Sequence, residues 1–271
     1  PVSISLQPIA ASACRGENKQ FTVGASGLSI TYQWQMSADN GTTWSNVIDD
    51  AVYSGALTHT LTVTGTELSM NGNLFRAVVT GDPCGSVNSD EALLTVHPDP
   101  VVTLNASQSS INPSLQSVVT ATVSPSGNYA YSWLNNNSVI AGANASSYTA
   151  TVDNLGSIRA IALNQSTGCF DTSDIFGLSA LQSNVMFIYP NPNNGVFQVR
   201  YYKDPSTATE TRMLKIFDSK GARVFTQQFS ITEPYQKMLV DISRYSSGVY
   251  LVELVGSGGK RLAVGKVSKH N

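Results

Sequence analysis

Charge is scarce in this sequence. Asp, Glu, Lys and Arg make up 13% of its 271 residues, about half the usual ~25% share. The basic residues are dispersed and mixed with acids, which argues against a nucleic-acid partner. The three histidines, His59, His97 and His270, do not have the spacing of metal ligands. HExxH and paired CxxC motifs are missing, so neither a metal nor a cofactor is expected. Nucleophilic catalysis has no anchor: there is no GxSxG elbow, and no Walker or Rossmann phosphate loop. "GSGGK" at 256–260 joins two apolar runs and reads as a hairpin turn. Nothing in these residues points to an enzyme. No apolar run is long enough to span a bilayer. The chain opens at Pro1 without a Met or a secretory leader. It therefore reads as a piece of a longer protein or a processed form, and an upstream part of the full-length protein could be an enzyme.

The charges that are present are unevenly placed. Residues 1–97 carry three basic against eight acidic side chains, and residues 98–180 one against four. Residues 181–271 reverse the balance, with twelve basic against six acidic. Such asymmetry marks a separate C-terminal module. Short alternating runs fill the sequence: "FTVGA", "TYQWQ", "HTLTV", "LFRAVV", "SVVTATV", "YAYSW", "YTATV" and "IRAIAL". Period-2 runs broken by Gly, Pro and Asn predict antiparallel β-sandwiches.

Two of these sandwiches are repeats. Tyr32 and Trp34 match Tyr131 and Trp133, Arg76-Ala77 matches Arg159-Ala160, and Cys84 matches Cys169. The first copy is longer by "SADNGTTWSNVIDDAVYSG". A Trp early in each copy, on what would be strand C, resembles the immunoglobulin-like pattern. The copies resemble the bacterial Ig-like modules found in tandem in surface and secreted proteins. The strand F position, where antibody-type domains carry a cysteine, holds Ala77 or Ala160. Cys14 precedes strand B and Cys84 follows strand F, so the expected disulfide is Cys14–Cys84. Cys169 is then left free or paired outside the chain.

"SADNGTTW" at 37–44 fits the Asp-box pattern S-x-D-x-G-x-T-W, known from sialidases and other β-propellers. Its local physics is that of a hairpin. Asp39 accepts turn amide hydrogens, Gly41 supplies a permissive dihedral, and Trp44 packs. The rival reading is a carbohydrate platform made by Trp44 with Tyr53. This chain would then hold accessory modules of an upstream glycoside hydrolase, with surface glycans as partner. Asp39, Asn40, Asp49 and Asp50 match no Ca²⁺ loop and read as solvated acids.

From Val185 the texture changes. "YPNPNNGVF", "IFDSKGARV", "DISRYSSGVYLVELV" and the basic ending "GKVSKHN" follow one another through about seven predicted strands. Four motifs in this order, against the C-terminus, closely resemble the C-terminal sorting domain of Bacteroidota type IX (Por) secretion cargo. The resemblance implies that the folded domain guides cargo, after transit through the periplasm, across the outer membrane. The implied partners are the type IX translocon, an outer-membrane shuttle barrel and a surface sortase. The cargo would be secreted or attached to the cell surface. The residues that carry this signal are Pro190, Asn191, Pro192 and Gly195 in the first turn, Gly248 and Tyr250 in the later strand, and Lys266, Val267 and Lys269 at the end. A basic strand from Leu262 to Val267 is expected to offer backbone groups, with Lys266 and Lys269, to a partner. Cleavage would fall in the polar linker of Ala180, Leu181, Gln182, Ser183 and Asn184. The expected fold is all-β, with three consecutive antiparallel β-sandwich domains: Ig-like at 1–97, a shorter Ig-like at 98–180, and the sorting domain at 184–271. The two Ig-like domains would act as spacer or adhesion modules.

Overall fold

The computed structural model describes residues 2–82 and 85–270. These form strands joined by turns, with two short 3-10 turns at Leu68–Met70 and Val152–Asn154 and no α-helix among the described residues.

The first sandwich places Ala11–Cys14, Ala92–His97, Leu74–Gly81, Thr31–Ser37 and Ser45–Asn46 in one sheet, in that order. The other layer holds Lys19–Thr22, Thr60–Val63 and Tyr53–Ser54, with Ser3–Leu6 paired to Gly24–Ser26. Ala11–Cys14 runs parallel to Ala92–His97, and the remaining pairs are antiparallel. This is the immunoglobulin-like arrangement of sheets. Trp34 is fully buried on Thr31–Ser37 and lies opposite Ala77 in register. The small residue leaves room for the indole where an antibody-type domain carries a cysteine. The Trp34 indole donates to the Thr58 carbonyl at 3.0 Å, and the equally buried Trp133 donates to Ala145 at 2.9 Å. Each repeat thus satisfies the polar atom of its central Trp in the same manner. In the second sandwich Val101–Ala106, Ser117–Ser124 and Ser147–Ala150 face a sheet ordered Ser110–Ile111, Phe176–Ala180, Gly156–Asn164, Tyr129–Asn135 and Ser138–Val139.

Close contacts gather the chain into two compact units. One contains the residues up to Val102 together with Val123–Tyr131 and Ile161–Ser173. The other contains Thr103–Thr122, Ser132–Ala160 and the residues from Asp174 onward. Within the first unit the expected disulfide is corrected. Cys14 is bonded to Cys169, 155 positions away, so it does not pair with Cys84, and Cys169 is not left over. Cys84 lies outside the described residues. The cause is topological. Because Ala11–Cys14 is parallel to Ala92–His97, Cys14 sits beside His97, where the chain leaves the first sandwich. Arg15 N donates to His97 O at 3.1 Å, and the Val102 amide reaches the Asp171 carboxylate at 3.0 Å. The strand following Cys169 is thereby brought to Cys14.

Among the described residues, the C-terminal sandwich has seven strands. Phe187–Tyr189, Val196–Arg200 and Met238–Asp241 form one layer; Arg223–Ile231, Glu210–Phe217, Gly248–Gly256 and Arg261–Lys269 form the other. Alternation puts Phe197, Val199, Leu214, Ile216, Val240, Val252, Leu254 and Val267 into one core. Burying each such side chain contributes about 1.5–3 kcal/mol. The turn after Phe217 is closed by Asp218, whose carboxylate accepts the Lys220 and Ala222 amides.

Candidate functional site

The proline–asparagine motif and the chain's last strand, far apart in sequence, form one structure. Residues 190–195 connect Phe187–Tyr189 to its partner Val196–Arg200. Asn193 organises the turn: its side chain accepts the Gly195 amide at 2.7 Å and donates to Pro190 O at 3.1 Å. Gly195 has φ +108°, and a Cβ there would lie 2.5 Å from Ser243 Cα, so no other residue fits. The Asn193 amide then donates to Ser268 O at 3.0 Å, and the His270 amide to Asn193 O at 2.8 Å. Asn191 completes the pairing with its side chain, donating to Lys266 O at 3.2 Å and accepting from Ser268 N at 3.0 Å. Prolines at 190 and 192 carry no N–H, and a carboxamide offers the same donor and acceptor as a peptide unit. The loop acts as a short extra strand along the outer edge of Arg261–Lys269.

Of the stretch Leu262–Val267 expected to offer its backbone to a partner, the loop takes the Lys266 carbonyl. The strand's outer edge at Lys266, Ser268 and His270 is already bonded to the loop, and the Tyr201 hydroxyl reaches Leu262 O at 3.4 Å. The molecule itself thus occupies the C-terminal part of this edge, at Lys266 and beyond. The expectation for Lys269 is corrected. This residue is buried, 7% exposed, with its side chain against Gly195, whereas Lys266 is exposed. Alternation explains the difference, since Val267 and Lys269 point inward and Lys266 outward. Val267 is fully buried opposite Tyr250, which is 5% exposed and whose hydroxyl donates to Ser246 O. Gly248 opens its strand opposite Lys269. On the outward face, Lys266 lies across from Leu251, with Val249 and Val264 also exposed.

The linker is tethered at its start. Ala180 ends the strand Phe176–Ala180, and the Leu181 amide donates to Ile111 O at 2.7 Å. The Leu181 carbonyl accepts from the Tyr235 hydroxyl. Tyr235 is fully buried, edge-on to Phe187 and Tyr202. Burial pushes its pKa up to about 12, so the hydroxyl remains a donor. Gln182 and Asn184 are exposed, and the Ser183 hydroxyl caps the Val185 amide. Beside this tether is a cluster that sequence reasoning missed. Arg200 is 3% exposed and meets Asp153 at 2.7 Å, while Lys237 meets the other Asp153 oxygen at 2.9 Å. Burial alone would raise the Asp153 carboxyl, but the Arg200 and Lys237 bonds outweigh it and hold its pKa below the ordinary carboxylate value. Alternation gave no signal of it, because Arg200 lies on the opposite face of its strand from the core residues Phe197 and Val199.

The remaining sites named from sequence are distributed elsewhere. Asp39 accepts from Ser37 Oγ, Thr43 N and Thr43 Oγ1 at 2.6–2.9 Å, Gly41 has φ +85°, and the Trp44 indole donates to Gly41 O at 3.1 Å. The box is a hairpin turn. The Trp44 ring face is covered by the Arg76 guanidinium at 4.0 Å. Tyr53 belongs to the other sheet and packs against the core near Phe75. The two aromatics therefore have separate partners. Cys14, Asp99 and Cys169 lie close together, but the sulfurs are joined and offer no thiolate ligand.

Residues 187–266 match the family described as secretion system C-terminal sorting domain. This sandwich is a C-terminal sorting domain. The sorting domain is a signal for type IX secretion, and it addresses the chain to the cell surface. Residues 7–98 match a domain of unknown function (DUF8696). No curated protein matches the chain. Among solved structures, the chain is similar to the I67–I69 fragment of titin, at 13% identity and TM-score 0.41, covering 99% of this chain and 98% of that one. The I9–I11 tandem of titin is similar at 14% identity and TM-score 0.36, covering 100% and 98%. The N-terminal four Ig domains of Dscam1 isoform 4.44 are similar at 12% identity and TM-score 0.34 over 66% of this chain. The chain spans 45% of that Dscam1 fragment. Sorting tails and Ig-like domains are typically non-catalytic. Among the described residues, no helix is long and apolar enough to cross a membrane.

Proposed function

We propose that the type IX machinery reads the sorting domain through the paired unit of residues 190–195 and the terminal strand. The observation that carries this reading is the pair of hydrogen bonds from the Asn191 side chain to Lys266, within the residues matched by the sorting family, and to Ser268 just beyond them. It joins the first and last motifs into one rigid surface. The exposed part of that surface is the outward face with Lys266, Val249 and Leu251. Pro190, Asn191, Pro192, Gly195, Gly248, Tyr250, Val267 and Lys269 shape it from within. The translocon engages this surface after periplasmic transit, the shuttle barrel receives the domain, and the surface sortase cuts between Ala180 and Asn184. The domain limits are 1–97, 98–180 and 184–271, with the two Ig-like sandwiches serving as spacers. The Cys14–Cys169 bond supports passage through an oxidising compartment.

The test places a reporter ahead of the whole chain in a host with type IX secretion. Lys266→Glu, which changes an exposed side chain, is expected to lower surface delivery at least several-fold while the domain stays folded. Removal of residues 262–271 should abolish delivery. Undiminished delivery by the shortened chain would overturn the reading.

A further inference from the structure

The buried guanidinium of Arg200 is neutralised from outside its own sandwich. Its Nη1 donates to Tyr235 O at 3.0 Å and pairs with Asp153, and its Nε is buried without a hydrogen-bond partner. Asp153 lies in the turn Val152–Asn154 of the second sandwich, within the same compact unit. That turn is rigid. Thr151 accepts the Asp153 amide at 3.3 Å, and Asn154 accepts the Thr151 amide at 3.0 Å. The carboxylate is thus presented in a fixed position, and Lys237 takes its second oxygen. The Tyr235 hydroxyl adds a neutral bond to Leu181, which is itself tied to Ile111. Every one of these contacts bypasses residues 182–184.

We propose that Arg200, Lys237 and Tyr235 form a carboxylate-binding dock for the turn that carries Asp153, and that this dock holds the sorting domain in place after the linker at 182–184 is cut. A charge pair that is desolvated on the arginine side governs how slowly such a contact opens. The half-exposed Lys237 contributes less. Scission and release are then separate events: hydrolysis of the linker leaves a non-covalent complex. The inference rests on the cut in the linker proposed above and not on what reads the sorting signal, because the contacts are internal to the chain.

The experiment uses the full chain with residues 182–184 replaced by the recognition sequence of a site-specific protease. After complete cutting, the fragments are run on size exclusion at low salt, and their affinity is measured by calorimetry. The two fragments should co-elute. Asp153→Asn, which keeps the turn, should weaken their affinity about tenfold or more, and Lys237→Gln about two- to threefold. Separation of the unaltered fragments under conditions where the uncut chain stays folded would overturn the proposal. So would equal affinity in Asp153→Asn. If Asp153→Asn fails to fold, the surface change Lys237→Glu takes its place, and fragments that stay equally associated would again count against the dock. Export plays no part in the readout, so failure here leaves the sorting reading untouched.

Discussion

At Asp39 one carboxylate closes a hairpin. Bonds from the Thr43 side chain and amide, together with Ser37, pull its pKa down to about 2. An unfolded Asp titrates near ~3.9. The folded carboxyl is therefore the stronger acid, and the stabilisation it gives is fully present above about pH 4. It fades as pH falls through about 2. Carboxyl NMR titration should return this depressed value in the folded chain, and Thr43→Val should move it back toward 4. An unchanged titration in that variant would remove the local explanation. This turn was legible in the sequence because every partner lies within a few positions of Asp39. The Arg200 cluster was not, because its carboxylate belongs to a different sandwich and only the fold brings the two together.

Strand Arg261–Lys269 shows what a sequence reveals of an element and what it hides. Its apolar run marked it as a strand, but Val267, read from the sequence as part of the terminal signal, proves to lie in the core. The burial of Lys269 was missed because a long basic side chain at the terminus reads as solvated. Nor does alternation say whether an edge is open. The answer depends on residues 190–195, where Asn191 pairs with the strand through its side chain. Asn191→Leu should strip a donor and an acceptor from that edge, at a cost of about 1–3 kcal/mol. Hydrogen exchange at the Ser268 amide should quicken by about tenfold or more, with little change in the strands of the Ig-like sandwiches. Protection as strong as in the unaltered chain would show that the carboxamide is dispensable.

At the scale of the molecule, the all-β class, the two Ig-like repeats and the C-terminal sorting sandwich were all readable. Period-2 alternation and motif order survive without knowledge of packing. The disulfide was not readable, since each cysteine was weighed inside its own repeat and the parallel Ala11–Cys14 strand redirects Cys14 to Cys169. Peptide mapping without reduction should recover a Cys14–Cys169 linked pair; a Cys14–Cys84 pair would refute it. The bond closes a span of 155 residues, for which the chain-entropy relation gives about 5 kcal/mol, with measured losses on removal typically about 2–5 kcal/mol. Cys14→Ser and Cys169→Ser should each reduce stability within that range, and their effects should not add.

The same bond has a mechanical meaning. Tension applied between the two ends of the chain passes directly from Cys14 to Cys169. Most of the strands around Trp34 and Trp133 lie in the bridged span and are shielded from that load, whereas Ser3–Leu6 and Phe176–Ala180 lie outside it. A pulled chain that keeps the bond is denied roughly 500 Å of contour, at about 3.4 Å for each of the 155 residues. The C-terminal sandwich lies wholly outside the bridge, so a pull falls on it and on the strands Ser3–Leu6 and Phe176–Ala180.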